Sequence, residues 1–132
     1  MLFCSGRQGT ASVQPDVAGS DLKPLFDTIL EYIPGPEADV EAPFQMLVSS
    51  IDYSEFVGRI AIGRIERGAI KQNQEIAVCN YYDPDAAPKK AKATALYEFD
   101  GLGKVPVTES TAGNIIAMSG IGDVTIGDTI CA

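Results

Sequence analysis

The sequence has no histidine and no tryptophan, and its 10 basic side chains are outnumbered by 18 acidic ones. Without histidine the commonest general base and the usual imidazole metal ligands are missing, so no Ser-His-Asp or Cys-His arrangement can form. The formal charge of -8 disfavours non-specific binding to a nucleic acid backbone and leaves room only for a local contact with a polyanion. Cysteine is scarce as well. Cys4, Cys79 and Cys131 form no CxxC pair, and an odd count without short spacing points to reduced thiols in a cytosolic compartment. No run approaches the roughly 18 apolar residues of a membrane span. The start MLFCSGRQG lacks the hydrophobic stretch of a secretory signal. There is no GxxxxGK[ST] loop to wrap nucleotide phosphates, so the chain is not expected to hydrolyse a nucleotide alone.

What is present is enough for a core. At 132 residues and 45% hydrophobic, the chain fits one folded domain with a short appendage. Residues 5 to 21 are rich in turn formers and read as loop. Leu22, Leu25, Phe26, Ile29, Leu30 and Ile33 then recur at helical spacing, with Ser20 or Asp21 available as a cap and Pro24 in the first turn. Pro34 stops the helix. Residues 33 to 43, IPGPEADVEAP, hold three prolines and three acids and read as a stiff, exposed linker. The helix has no obvious partner: either it closes another domain, or it packs on the C-terminal part of this chain.

From Phe44 onward the period changes. Of 89 residues, 22 are valine, isoleucine or threonine in short runs between turn signals, which predicts strands. They are expected at 44–51, 57–66, 74–80, 91–99, 104–108, 114–119 and 128–131, closing into a small β-barrel. Ile65 breaks the alternation of Ile60 and Ile62 just after Gly63, which predicts a bulge or tight bend.

Candidate chemistry is thin. Asp52 with Glu55, and Glu98 with Asp100, are carboxylate pairs at strand ends, where solvated turn residues are the ordinary case. GIGDVTIGD, residues 120 to 128, lacks a following helix and reads as turns rather than a phosphate loop. Arg59, Arg64, Arg67 and Lys71 cluster around one strand and the turn after it, and Lys89, Lys90 and Lys92 mark another edge. Such residues grip phosphates or simply solvate a surface. Tyr53 with Phe56, and Tyr81 with Tyr82, are stacking candidates or partly buried aromatics.

IDYSEFVGRIAIGRIERGAIKQNQEIAV, residues 51 to 78, resembles the second domain of translational GTPases, specifically the TypA/BipA branch. APFQM at 42–46, EFDGLGKVPV at 98–107 and AGNIIAMSGIGDVTIGDTIC at 112–131 extend the resemblance in the same order. LKPLFDTILEYIPGP at 22–36 resembles the closing helix of that family's GTPase domain and its exit linker. CSG at 4–6 falls where the family carries its last guanine-recognition motif, with Gly6 in place of the customary alanine.

The resemblance implies a mainly β chain: an elongation-factor domain II-like β-barrel with a short N-terminal helix. It divides the chain into a GTPase-domain remnant (1–36), a linker (37–43) and the barrel (44–132). It implies a noncatalytic piece of a cytoplasmic GTPase that converts GTP to GDP and phosphate, with GTP, GDP and Mg2+ held by the intact parent and no cofactor in this segment. The implied partners are the ribosome, especially small-subunit rRNA, and the parent's GTPase and C-terminal domains, with no DNA and no membrane. Arg59, Arg67 and Lys71 become the candidate RNA or ribosome contacts. Gly58, Gly68, Gly113, Gly127 and Asp128 coincide with the family's turn positions. The alternatives are domain II of a related elongation factor, or a protein-binding barrel without RNA contact.

Overall fold

The computed structural model describes residues 1 to 80 and 82 to 132, which divide into two compact units, Met1–Pro36 and Glu37–Ala132. In the first unit a short hairpin, β1 (Phe3–Ser5) and β2 (Thr10–Ser12), precedes helix α1 (Lys23–Tyr32). The hairpin occupies part of the segment expected as loop, because three residues a side carry too little alternation to register as strands. Leu22 takes the N-cap position, and the Asp21 carboxylate accepts the Lys23 amide at 2.9 Å. Pro34 pushes Ile33 out of the helical region (φ -104°, ψ 109°), which ends α1. No residue of α1 is buried, and Phe26, Ile29, Leu30 and Ile33 of the apolar stripe are exposed.

Among the described residues the second unit holds ten strands. They are β3 (Gln45–Ser54), β4 (Gly58–Arg67), β5 (Ala69–Lys71), β6 (Glu75–Cys79), β7 (Lys89–Lys92), β8 (Ala95–Asp100), β9 (Gly103–Val107), β10 (Glu109–Thr111), β11 (Ile115–Ser119) and β12 (Thr129–Cys131). Two of these were not anticipated: β5 and β10 pair with each other as a small separate ribbon. The single strand expected at 91–99 is two, β7 and β8. Between them Ala93 is fully buried and exchanges backbone hydrogen bonds with residues 73 and 74, while the Thr94 amide turns to the Ser119 carbonyl. A chain that switches partners in two residues cannot remain one strand.

The other eight strands form one antiparallel sheet in the order β7-β6-β12-β3-β4-β11-β8-β9. This corrects the expected closed β-barrel: among the described residues no ladder joins the edge strands β7 and β9, and the sheet is open. Both edges are unsuited to pairing outward. β7 reads Lys-Lys-Ala-Lys with its three lysines exposed, and β9 contains Pro106, which has no N–H to donate. The valine and isoleucine pattern announces strands but carries no information on whether the last pairs with the first. The sheet is nevertheless curved enough for the Lys104 ammonium on β9 to donate to the Asp52 carboxylate on β3.

The bulge signal at Gly63 and Ile65 has a counterpart in the ladder. The β3–β4 register slips once between Val48 and Ser50, opposite Gly63 and Ile62, and again between Gln45 and Met46. The first slip lies on β3, where Ser49 has no partner in the ladder. A Cβ at Gly63 would stand 2.0 Å from the Leu47 carbonyl oxygen, so the β3 backbone presses directly on the glycine. Met46, Val48, Ile65, Leu96, Ile116, Met118 and Ile130 are essentially inaccessible and form the core on one side of the sheet.

Candidate functional site

The strand geometry separates the three candidate cationic contacts. Arg59 is the second residue of β4 and Arg67 the last, and eight residues at ~3.3 Å each put them roughly 26 Å apart along the strand. One phosphate cluster cannot occupy both. The Arg59 guanidinium donates to the Val124 carbonyl at 2.9 Å and so ties the 120–128 connection to β4. Arg67 is exposed, opposite Gln45 across the ladder. Lys71 ends β5 past the Gly68 turn, and its ammonium stands 3.9 Å from the Glu109 carboxylate with both side chains well exposed. An exposed pair at that distance holds its partners weakly and leaves the lysine available to another anion.

The turn residues fall at connections. Gly58, Gly68, Gly113 and Gly127 have φ of 75, 74, 97 and 94°. Asp128 is buried, and its carboxylate accepts the Asn80 side-chain amide and the Thr125 backbone amide, each at 2.8 Å. Those two bonds satisfy a charge that burial alone would destabilise, and they link the 120–128 turn to the end of β6. The two connections that follow β6 and β11 border a cleft of about 290 Å³ whose polar lining includes Asn80, Lys89, Lys90 and Asp123.

The carboxylate pairs do not converge as an acid and base. Asp52 is exposed and carries the Lys104 ion pair. The hydrogen bond from that ammonium, then the amide of Tyr53, hold its carboxyl below the usual carboxylate range. Glu98 accepts from the Ser110 hydroxyl at 2.6 Å and the Asn114 amide at 3.0 Å, which fixes it as a tie between β8 and the turn before β11. Among the described residues no three histidine, cysteine, aspartate or glutamate side chains gather as a metal site, and no helix is long and apolar enough to cross a membrane.

Tyr53 and Phe56 stand exposed at the β3–β4 hairpin tip, 70% and 96% accessible, so neither is a core aromatic. Tyr82 is also exposed, and Tyr81 lies outside the described residues. One surface feature escaped the sequence reading. Arg64 sits opposite Leu47 on β3 and Ile115 on β11, and both aliphatic side chains are exposed, giving an apolar strip with a central cation across three strands. The signal lay in the alternation: Leu47 stands between buried Met46 and Val48, so its side chain faces outward, and the register sets it opposite Arg64.

Residues 58–131 match the family described as elongation factor Tu domain 2, and the chain belongs to that family. Its more particular likeness is to the TypA/BipA branch. The chain is 40% identical over 129 residues to the large ribosomal subunit assembly factor BipA of Synechocystis, covering 98% of this chain and 21% of that protein. It is 34% identical over 131 residues to the proteins of the same name from Bacillus subtilis and Escherichia coli K12, covering 99% of this chain and 21% of each. The chain thus spans about one fifth of the length of these relatives.

Proposed function

We infer that this chain is a noncatalytic domain II segment of a TypA/BipA-like, ribosome-associated GTPase. The observation that carries the reading is the likeness to BipA proteins over 98–99% of the chain, which includes the segment before the family domain. In this reading residues 1–36 close the GTPase domain, 37–43 link it to the sheet domain, and 44–132 are domain II. The parent binds GTP, GDP and Mg2+ outside this segment and hydrolyses GTP in translation regulation or ribosome assembly in the cytoplasm. This chain docks the parent on the small ribosomal subunit through rRNA and couples that contact to the GTPase and C-terminal domains. Exposed Arg67 and Lys71 supply the phosphate contacts; Arg59 contributes mainly by holding the 120–128 connection in place. Gly58, Gly68, Gly113, Gly127 and Asp128 shape the loops that present them.

A second reading has its own support. The Leu47–Arg64–Ile115 strip is more apolar than an RNA-binding surface requires, and it suits a protein face. Binding of the chain to purified small and large ribosomal subunits, measured in parallel at several salt concentrations, separates the two. Saturable, salt-sensitive binding to small subunits is expected. Salt-insensitive binding abolished by Arg64→Glu would instead support the protein-facing reading, and binding to large subunits alone would displace the small subunit as the docking partner.

A further inference from the structure

Cys79 ends β6 and Cys131 ends β12, on neighbouring antiparallel strands. Their register is diagonal: Cys79 stands opposite Thr129, and Cys131 opposite Ala77. Alternation along the strands puts both cysteines on the face turned away from Ile76, Val78 and Ile130, which enter the core. The two sulfurs lie 3.9 Å apart. Both residues are only partly buried, so a small solute can reach them, whereas the third cysteine, Cys4, is exposed in the other unit.

We propose that Cys79 and Cys131 form an oxidative modification site, a dithiol that a peroxide converts reversibly into a disulfide across the β6–β12 ladder. The Cys79 thiolate attacks one oxygen of hydrogen peroxide; the O–O bond breaks, and the second oxygen leaves as hydroxide and is protonated to water. Cys79 is then a sulfenic acid. The Cys131 sulfur attacks the sulfenic sulfur, the S–S bond forms as the S–O bond breaks, and the departing hydroxide takes the Cys131 proton to leave as water. Two thiols have lost two electrons and two protons, and one peroxide has become two waters.

The order follows from the surroundings of Cys131. Its S–H donates to the Ala77 carbonyl at 3.7 Å, and burial, then the hydrogen bond with Cys79, pushes its thiol pKa up. A thiol held protonated is suited to the second step rather than to the first attack. Closing the sulfurs to about 2.05 Å takes a movement of roughly 2 Å, and because diagonal positions across an antiparallel ladder hold their Cα atoms about 7–8 Å apart, the two strand ends must draw together as well as the side chains rotate. The bond would staple a ladder only three residues long, the one through which β6 and β7 join the rest of the sheet.

The test uses the full chain carrying Cys4→Ser, treated with hydrogen peroxide and mapped without reduction. The expected result is simultaneous loss of both remaining thiols, a chain lighter by two hydrogen atoms, a linked Cys79–Cys131 peptide pair, and full recovery with dithiothreitol. With Cys131→Ser added, dimedone should trap a sulfenic acid at Cys79 and the linked peptides should vanish. Even if that second variant fails to fold, the peptide map of the first decides. Independent oxidation of the two thiols with gain of oxygen, or two thiols that stay alkylatable under peroxide, would overturn the proposal.

Discussion

Gly68→Ala is expected to destabilise the Glu37–Ala132 unit by about 3 to 5 kcal/mol, a large fraction of the ~5–15 kcal/mol that holds an ordinary domain. Gly68 has φ 74°, where an L side chain costs about 1–2 kcal/mol. The space around it is closed as well. A Cβ would lie 2.5 Å from the Ala42 carbonyl oxygen and 2.6 Å from the Phe44 nitrogen, both backbone atoms that cannot swing aside. Gly68 is also bonded on both sides, donating to the Asp39 carbonyl and accepting the Ala112 amide, so a shift there disturbs the start of β3 and the β10–β11 turn together. Gly101→Ala is the control. Its φ is 59°, but its Cβ would meet nothing within 4 Å, so only the backbone cost of about 1 kcal/mol applies. Thermal unfolding of the two variants should differ by more than about 10 °C in midpoint. Equal midpoints would show that close backbone approach is not what fixes Gly68.

Ile130→Ala carries the second large effect, about 2–5 kcal/mol. Ile130 is fully buried at the centre of β12, between Val78 on β6 and Met46 on β3, both of them core residues. β12 has only three residues, so the cavity opens in the element that connects β6 and β7 to the remaining strands. Local opening should therefore be uneven. Hydrogen exchange should accelerate most at β6 amides and least at β11, whose two ladders are untouched, while Ile130→Val costs only about 0.5–1.5 kcal/mol. Uniform acceleration across the sheet would contradict the role given to β12.

The strands that could be read from the sequence are those with enough length to display a period. Ile60 to Ile65, Ile115 to Met118 and Glu75 to Val78 announced β4, β11 and β6, and helix α1 was legible from six apolar positions and two prolines. β5 and β10 were hidden because three residues define no period, and their pairing is a tertiary fact. The missing closure of the sheet was hidden for a related reason. Alternation sets which side of a strand is buried, whereas the fate of the edges depends on Lys89, Lys90, Lys92 and Pro106, residues that ordinary loops also contain.

The candidate site was legible as a set of residue types, not as an arrangement. Arg59 and Arg67 look adjacent in a string of 28 residues, yet an extended strand carries them to opposite ends of β4. Nor does any local pattern announce that Arg59 is engaged with Val124, 65 residues away. Leu47 and Ile115 read as ordinary strand aliphatics, and only the register places them on either side of Arg64.

The most direct measurement is the salt dependence of small-subunit binding by this chain and by its Arg67→Gln/Lys71→Gln variant. If both side chains meet rRNA phosphates, the variant binds more weakly and its log–log salt slope is shallower by about 1 for each lost contact. A variant with wild-type affinity and slope would contradict the RNA-facing role of this surface.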